Sequence, residues 1–234
     1  MARIASWLTY AIIFVVVSAL SAVIYFLVTG ILNPAGPRTE IEARLAVLEN
    51  AIEENPGSGR VWADWIMYNT RAERHAEAER GWNDSRIVLA DLPEQMIQAD
   101  LAWAQALLLR EEYEAAIEQA EVVVANDPEA LAELERQNPV AATTGIVETQ
   151  MLGPAHAVRG NAATALEQWD LAVEAYSSVL EISPRDSNIL VARGVAYRAL
   201  GDDDLARADF EEALRFMPDH SAAREFLEQM GDAR

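Results

Sequence analysis

The chain has 234 residues, enough for one or two domains. Acidic residues outnumber basic ones 38 to 18, every basic residue is arginine, and the formal net charge is −20, a balance that suits a solvated helical surface or a saline habitat. This acidity argues against a nucleic-acid partner, and the absence of cysteine excludes disulfides, cysteine-ligated zinc and thiol catalysis.

After a short tail of residues 1–6, residues 7–32 are predicted to form a transmembrane anchor. No charge occurs between Arg3 and Arg38, and residues 7–28 are almost wholly apolar (WLTYAIIFVVVSALSAVIYFLV). A helix of this length spans about 33 Å, which matches a hydrocarbon core of about 30 Å. Its Leu, Ile, Val and Phe residues favour insertion by about 4–8 kcal/mol. The sequence therefore predicts one contact with the lipid bilayer.

A cleaved signal peptide is the competing interpretation of this segment, because residues 18–22 are small enough for a cleavage site. The apolar run continues through Val28, however, beyond the short core of a signal peptide, and this favours an uncleaved signal anchor. Trp7 and Tyr25 fall near the two expected interfaces, where aromatic residues are enriched.

The orientation of the anchor is weakly indicated, since Arg3 on one side and Arg38 and Arg44 on the other nearly balance. A short tail and a large translocated body favour a cytoplasmic N-terminus. The body is then expected outside the cytoplasmic membrane, in the periplasm if the source is a Gram-negative bacterium.

Residues 33–38 are predicted to be a linker, because two prolines and one glycine interrupt any helix there. From residue 39 to residue 234 the pattern is helical throughout, with apolar residues at three- and four-residue spacing and no convincing strand. Residues 40–56 are expected to form a lone capping helix at the start of this body.

Two helical units of 34 residues are predicted next. The unit at 59–92 is degenerate and has no glycine in its turn. The unit at 97–130 has Ala120 where a large residue is expected, and its second helix is expected to end at Asn126-Asp127-Pro128. The residues that define the two units are Trp62, Ala78, Trp82 and Ser85 in the first and Ala104, Leu107, Tyr113 and Ala116 in the second.

Residues 131–152 interrupt the register and are predicted to be an insertion. Asn138-Pro139 and Thr143-Thr144-Gly145 indicate a loop. Long loops within compact arrays are often either functional or disordered, and the sequence leaves both alternatives open.

Residues 153–186 and 187–220 read alike at an offset of 34. The matching pairs are Gly160 and Gly194, Ala172 and Ala206, Tyr176 and Phe210, Leu180 and Leu214, and Pro184 and Pro218. A fixed period in this range indicates a stacked helical array. Residues 221–230 are expected to form a capping helix that closes the array.

The unit at 187–220 resembles the tetratricopeptide repeat. It carries Leu190 at position 4, Gly194 at 8, Tyr197 at 11, Gly201 at 15, Ala206 at 20, Phe210 at 24, Ala213 at 27 and Pro218 at 32. The small residues let two helices cross closely, and the large ones fill the gap between them. Arg193 departs from the usual apolar residue at position 7 and is expected to pair with Asp209. The predicted fold is therefore all-α, with one N-terminal transmembrane helix followed by an α-solenoid of the tetratricopeptide type.

No catalytic or metal-binding constellation is recognisable. His75, His156 and His220 lie in different units without ligand spacing, and residues 201–204 suit a turn and helix cap better than a calcium loop. Phosphate-binding and nucleophile motifs are absent from the sequence. We therefore expect no enzyme activity, no metal and no cofactor.

The resemblance implies a concave groove lined by positions 2, 5, 9 and 12 of each first helix. A surface that mixes apolar and amide side chains suits an extended or helical peptide. Asn161 matches the asparagine of repeats that clamp a C-terminal carboxylate, but Ala157 stands where a basic residue is needed, so such a clamp is not expected. The implied groove residues are Gln98, Leu101, Gln105, Leu108, Asn161, Thr164, Asn188, Val191, Val195 and Arg198.

These features predict a membrane-anchored scaffold that binds a partner protein or peptide beside the membrane. The layout also resembles membrane-tethered tetratricopeptide proteins of cytochrome c maturation, through the string LENAIEENP followed by Val61-Trp62. This resemblance implies an assembly or maturation factor. The alternative is an accessory subunit of a membrane protein complex, bound mainly through its anchor. Five tryptophans of the body fit a core, and Trp65 is the best exception because Trp62 already fills position 4.

Overall fold

The computed structural model describes residues 40–137 and 152–232, and every regular element within these ranges is helical. The helices are α1 (Glu40–Glu54), α2 (Gly59–Arg71), α3 (His75–Val88), α4 (Pro93–Leu109), α5 (Tyr113–Gln137), α6 (Gly153–Ala165), α7 (Trp169–Ile182), α8 (Ser187–Leu200), α9 (Asp203–Phe216) and α10 (Ser221–Asp232). The predicted tail 1–6, anchor 7–32 and linker 33–38 lie outside the described residues, as do residues 138–151 of the predicted insertion 131–152. Within the described ranges, no helix is both long and apolar enough to cross a bilayer.

The chain divides into two compact units, Met1–Val47 and Leu48–Arg234. Of the first, the structure describes the beginning of α1, which the repeated glutamates and leucines of the sequence favour as a helix. The second unit holds the four helical pairs α2–α3, α4–α5, α6–α7 and α8–α9, followed by α10.

All four pairs turn at the same place in the 34-residue register. Position 15 has a positive φ in each unit: 58° at Glu73, 61° at Glu111, 56° at Glu167 and 88° at Gly201. The backbone N–H of the next residue then donates to a carbonyl five residues back, at 2.9 Å from Arg74 to Asn69 and 2.9 Å from Asp202 to Tyr197. This is the hydrogen bond that closes a helix through a left-handed residue. The unit at 59–92 thus keeps the turn geometry although it lacks the glycine.

Small residues allow close helix crossing within the pairs, as the sequence predicts. A Cβ atom on Gly160 would lie 2.5 Å from the ring of Tyr176, and one on Gly194 would lie 2.6 Å from the ring of Phe210. Position 20 is a completely buried alanine in every unit: Ala78, Ala116, Ala172 and Ala206. The paired helices therefore approach until an aromatic ring rests on backbone in the last two units.

The array is built by contacts between neighbours in sequence. Each first helix packs against its own second helix, and the second helix of one unit packs against the first helix of the next, as α3 does on α4, α5 on α6, α7 on α8 and α9 on α10. The first helices α2, α4 and α6 also pack side by side. This is the contact pattern of a helical solenoid, and it confirms the predicted all-α array.

The predicted pair of Arg193 and Asp209 is present and links α8 to α9. Arg193 Nε donates to Asp209 Oδ2 and Nη2 donates to Oδ1, both at 2.8 Å, while Nη1 donates to the Ser177 hydroxyl at 3.1 Å. The fork-shaped, partly buried arrangement is the strong form of such a pair. The hydrogen bonds with Asp209 are the main reason why the pKa of Arg193 is raised.

Two predicted boundaries are wrong. The second helix of the unit at 97–130 does not end at Asn126-Asp127-Pro128 but continues as α5 to Gln137. The stretch EALAELERQ after Pro128 is rich in strong helix formers, and their propensity outweighs the loss of one backbone donor at the proline. The predicted insertion 131–152 consequently begins within α5, whose last residues are 131–137. The first helix of the unit at 97–130 begins at Pro93, four residues before position 1 of the unit, since proline is well suited to the first turn of a helix.

Candidate functional site

A groove of about 470 Å³ lies between the first helices α2 and α4. The two helices contribute equivalent positions, 2, 5, 6 and 9 of their units, because residues at this spacing share one face of a helix. The groove is lined by Arg60, Ala63, Asp64 and Met67 from α2 and by Gln98, Leu101, Ala102 and Gln105 from α4. The structure therefore places three of the ten predicted groove residues, Gln98, Leu101 and Gln105, in one recess.

The chemistry of this groove is mixed. Met67 and Leu101 provide apolar surface, while the carboxamides of Gln98 and Gln105 are partly exposed. A carboxamide offers two donors and one acceptor, so it can pair with both groups of a peptide backbone. Arg60 and Asp64 stand on the opposite helix as one positive and one negative charge. The groove can thus bind a neutral or zwitterionic chain segment through amide hydrogen bonds.

The contribution of α2 to the groove was missed by the sequence prediction, which took residues from the three later units. The register of the unit at 59–92 was already assigned, and its positions 2, 5 and 9 are Arg60, Ala63 and Met67. The signal was therefore present, but the groove positions were not extended to this degenerate unit.

The predicted residues Asn161 and Thr164 are joined to Tyr176 rather than free. The Tyr176 hydroxyl donates to Asn161 Oδ1 at 3.0 Å and lies 3.0 Å from the Thr164 hydroxyl, which in turn contacts the Gly160 carbonyl at 2.8 Å. Burial raises the pKa of Tyr176, so its hydroxyl stays protonated and able to donate. The contact with Tyr176 thus occupies Asn161 Oδ1 within the unit, although the residue itself is exposed.

The predicted residues of the last unit mostly serve packing. Val191 is buried and Val195 half-buried within the C-terminal core. Asn188 lies 3.2 Å from His220 Nε2. The Arg198 guanidinium covers the ring of Phe226 at 5.4 Å and contacts Gln229 of α10. Leu108, a predicted groove residue of the second unit, packs against the hydrophobic cluster that includes Trp62 and Trp103. These side chains are not brought into the recess between α2 and α4.

The three histidines lie in different units of the array. His75 begins α3, His156 lies in α6, and His220 precedes α10. Burial lowers the pKa of His156, helped by the charge of Arg159, so this half-buried imidazole is neutral at physiological pH. No group of three or more His, Asp or Glu side chains within the described ranges is arranged to hold a metal ion.

Asp100 is a buried carboxyl group on α4, one of the two groove helices. It accepts a hydrogen bond from Trp82 Nε1 at 2.8 Å. The Trp82 and Trp103 rings are stacked with centroids 5.1 Å apart, and Arg86 and Arg110 cover the two outer faces at 5.2 Å and 5.4 Å. Burial raises the pKa of Asp100, although the hydrogen bond from Trp82 and the charge of Arg86 oppose the shift. This column of rings and guanidinium groups fixes α3 against α4.

Comparison with known proteins identifies the repeat. The family model of the tetratricopeptide repeat matches residues 187–220. A stretch of 59 residues is 37% identical to the peptidyl-prolyl cis-trans isomerase FKBP4 of Mus musculus and 36% identical to that of Homo sapiens, covering 25% of this chain and 13% of each relative. The chain thus spans a small part of those relatives, and the match says nothing of their activity here.

Two solved structures are similar to this chain at low sequence identity. A thermophilic TPR protein of Thermus thermophilus is similar over 81% of this chain and 89% of its own, with 19% identity and a TM-score of 0.49. YrrB, a TPR protein with an unusual peptide-binding site, is similar over 77% of this chain and 97% of its own, with 16% identity and a TM-score of 0.33. The family match thus lies on α8 and α9, the last helical pair of the described all-α array, and residues 187–220 are similar to a tetratricopeptide repeat.

Proposed function

We propose that this chain is a membrane-anchored scaffold, without catalysis of its own, that holds a peptide segment of a partner protein in the groove between α2 and α4. The observation that carries the proposal is the pair of partly exposed carboxamides, Gln98 and Gln105, above an apolar floor that includes Leu101. Amide side chains over apolar surface bind main chain and side chains together, as in other modes of peptide recognition.

The spacing of these carboxamides suits an extended segment. Gln98 and Gln105 are separated by two helical turns, or about 10.5 Å at about 1.5 Å per residue. Three residues of an extended peptide cover about 10 Å. One glutamine can therefore pair with a backbone amide while the other pairs with the amide three residues away. An apolar side chain between them reaches Leu101 and Met67.

The anchor at residues 7–32 is the second part of the proposal. Tethering restricts both partners to one surface, and the resulting effective concentration lets weak groove contacts suffice. This arrangement suits an assembly or maturation factor that holds an unfolded client beside the membrane. Support for it comes from the uncharged apolar stretch of the sequence.

The test is a pull-down with the full chain in mild detergent, followed by mass spectrometry. Gln98→Ala combined with Gln105→Ala is expected to reduce recovery of a specific partner at least tenfold, because two backbone-pairing amides are lost. Gln168→Ala is the matched control, since this exposed glutamine makes no side-chain cap hydrogen bond at the start of α7. Asn161→Ala and Arg198→Ala are expected to have smaller effects, because those side chains contact Tyr176 and Phe226.

Equal recovery with the glutamine variants and the parent chain contradicts groove binding. If recovery is instead lost when residues 7–32 are exchanged for an unrelated transmembrane segment, the chain is an accessory subunit held by its anchor. Loss in both experiments supports a scaffold that uses both parts.

A further inference from the structure

A second recess, of about 290 Å³, lies where α1, α2 and α3 meet, away from the groove between α2 and α4. Two indoles, Trp62 and Trp65, form part of its wall. The remaining lining residues are Glu49, Ile52, Glu53, Glu77, Arg80, Gly81 and Asp84. None of these residues lines the groove of the proposed function.

A substitution within the repeat register creates this recess. Positions 7 and 23 carry the ion pair of Arg193 and Asp209 in the last unit. The same positions carry Trp65 and Gly81 in the first unit. A Cβ atom on Gly81 would lie 2.4 Å from Trp65 Cδ1, so the indole rests directly on the backbone of α3. The first unit therefore lacks the two charges that neutralise each other in the last unit, and an indole ring forms the wall at this place instead.

The charges around the two indoles are unbalanced. Glu49, Glu53, Glu77 and Asp84 contribute four carboxylates. The one guanidinium of the lining, that of Arg80, lies 3.4 Å from Glu77 on a side chain that is 72% exposed, and it neutralises a single carboxylate. The recess therefore attracts a cation, which aromatic faces and carboxylates bind together.

An apolar slot of about 400 Å³ adjoins the recess and shares Ile52, Glu53, Trp62 and Asp84 with it. It is completed by Pro56, Ile87 and Val88, of which Ile87 is 76% exposed and Val88 is 44% exposed. Large aliphatic side chains exposed side by side on a polar surface are typical of a protein-binding site.

We propose that the recess and slot form a second docking surface, which binds the arginine or lysine of a partner protein together with the aliphatic residues that follow it. The cationic group lies on Trp65 between the carboxylates, and the aliphatic side chains cover Ile87 and Val88. The protein itself shows that this geometry is favourable, because Arg86 and Arg110 cover Trp82 and Trp103 at 5.2 Å and 5.4 Å.

Charge complementarity selects this partner over the other occupants. A second copy of this chain is strongly acidic, with a net charge of −20 and no lysine, and approaches an acidic surface against repulsion. A basic and aliphatic segment of a partner is attracted by the carboxylates. Its aliphatic side chains are exposed to water while the segment is free, and docking removes them from water. The surface is independent of the groove, so both can be occupied at once.

The experiment measures binding of fluorescent peptides to the full chain in mild detergent by anisotropy. The probe carries Arg-Leu-Leu in an alanine and serine background, and its counterparts carry Glu-Leu-Leu and Arg-Ser-Ser. We expect the first peptide to bind at least tenfold more tightly than either counterpart and to weaken as salt is raised.

The neutralising substitutions Asp84→Asn and Glu53→Gln together are expected to weaken binding of the Arg-Leu-Leu peptide about tenfold. Trp65→Phe is expected to weaken its binding severalfold. The exposed side chains of Glu118 and Glu211 provide matched controls, and Glu118→Gln with Glu211→Gln should leave binding unchanged. Gln98→Ala with Gln105→Ala should also leave it unchanged, which separates this surface from the groove.

Equal binding by the three peptides, or equal loss in the control variants, overturns the proposal. Failure of the full chain to bind any peptide also overturns it. Sedimentation of the Asp84→Asn, Glu53→Gln chain against the parent then shows whether a second copy occupies the surface, since self-association changes the mass.

Discussion

Asp100 shows how one side chain departs from the repeat. It occupies position 4, where the other units have Trp62, His156 and Leu190, and it is only 4% exposed. The indole N–H of Trp82 supplies a hydrogen bond at 2.8 Å, which satisfies one oxygen of a group that apolar surroundings otherwise disfavour. Position 4 tolerates the carboxyl because the preceding unit has a tryptophan at position 24.

Replacing Asp100 should change the dependence of stability on pH. Since burial raises its pKa above the ordinary 3.8, the folded chain binds this proton more tightly than the unfolded chain. The contribution of Asp100 to the free energy of unfolding therefore falls as pH rises from below 3.8 through the raised pKa, and it stays reduced at neutral pH. Asp100→Asn keeps an acceptor for Trp82 and should be more stable than the parent chain at pH 7, with the difference closing in acid.

Urea unfolding of the full chain in mild detergent, followed by circular dichroism at pH 7 and at pH 4, measures this difference. Asp84→Asn is the control, because it makes the same chemical change on an exposed side chain of α3. If Asp100→Asn is less stable than the parent at pH 7, the ionised carboxylate is a net stabiliser and the argument from burial is wrong.

At the scale of single elements, the turns within the helical pairs carry strain that the sequence did not reveal. Glu73, Glu111 and Glu167 have φ values near +60°, a conformation that glycine adopts freely and other residues adopt at a cost of about 1–2 kcal/mol. The backbone hydrogen bonds that close the helices hold them there, at 3.0 Å from Glu112 to Leu107 and 2.8 Å from Gln168 to Ala163.

Glu167→Gly should therefore stabilise the protein by about 0.5–1 kcal/mol, the relief of strain less the extra backbone entropy of glycine in the unfolded chain. Glu118→Gly inside α5 is the opposite control, because glycine within an ordinary helix costs about 1 kcal/mol. Urea midpoints of the two variants should move in opposite directions from that of the parent, and a decrease for Glu167→Gly would contradict the strain argument.

The helical pairs were predictable where local chemistry and register agree. Gly194 opposite Phe210 follows from the spacing of the repeat, the Arg193–Asp209 pair is implied by the resemblance to the tetratricopeptide repeat, and the structure has both. The length of α5 was not predictable in this way, since Pro128 is a local signal whereas helix continuation depends on the residues beyond it. The groove was predicted in part: Gln98, Leu101 and Gln105 were found, but the facing residues of α2 were left out because their unit departs from the repeat pattern.

At the scale of the whole molecule, each helical pair within residues 48–232 is stabilised by its contacts with the neighbouring pairs. In such an array the free energy of unfolding is approximately the sum of contributions from the units and from the interfaces between them, so a destabilising substitution at one end has a local effect. The distal end is closed by α10, where Phe226 is stacked on Phe210 with centroids 5.0 Å apart. Ala223 and Met230 of α10 are buried in the same core.

Phe226→Ala should consequently loosen α9 and α10 while leaving α2 to α4 intact. We expect a loss of about 2 kcal/mol in local stability, since the ring is half-buried and its removal costs less than the 3–5 kcal/mol of a fully buried one. Hydrogen exchange measured by mass spectrometry should show faster exchange in residues 203–232 and unchanged exchange in residues 59–109. Faster exchange throughout would mean that the array unfolds as one cooperative block.

The stacked pair of Trp82 and Trp103 gives the protein a built-in optical reporter. Two indoles with centroids 5.1 Å apart and planes inclined by 11° couple their electronic transitions, which produces an excitonic band in the far-ultraviolet circular dichroism. The segments α8, α9 and α10 have no tryptophan, so this band follows the proximal half, and the indole fluorescence, to which Trp7 and Trp169 also contribute, does not come from the last repeat. Melting curves recorded through these signals will therefore disagree with those recorded through helix content whenever the distal repeats open first.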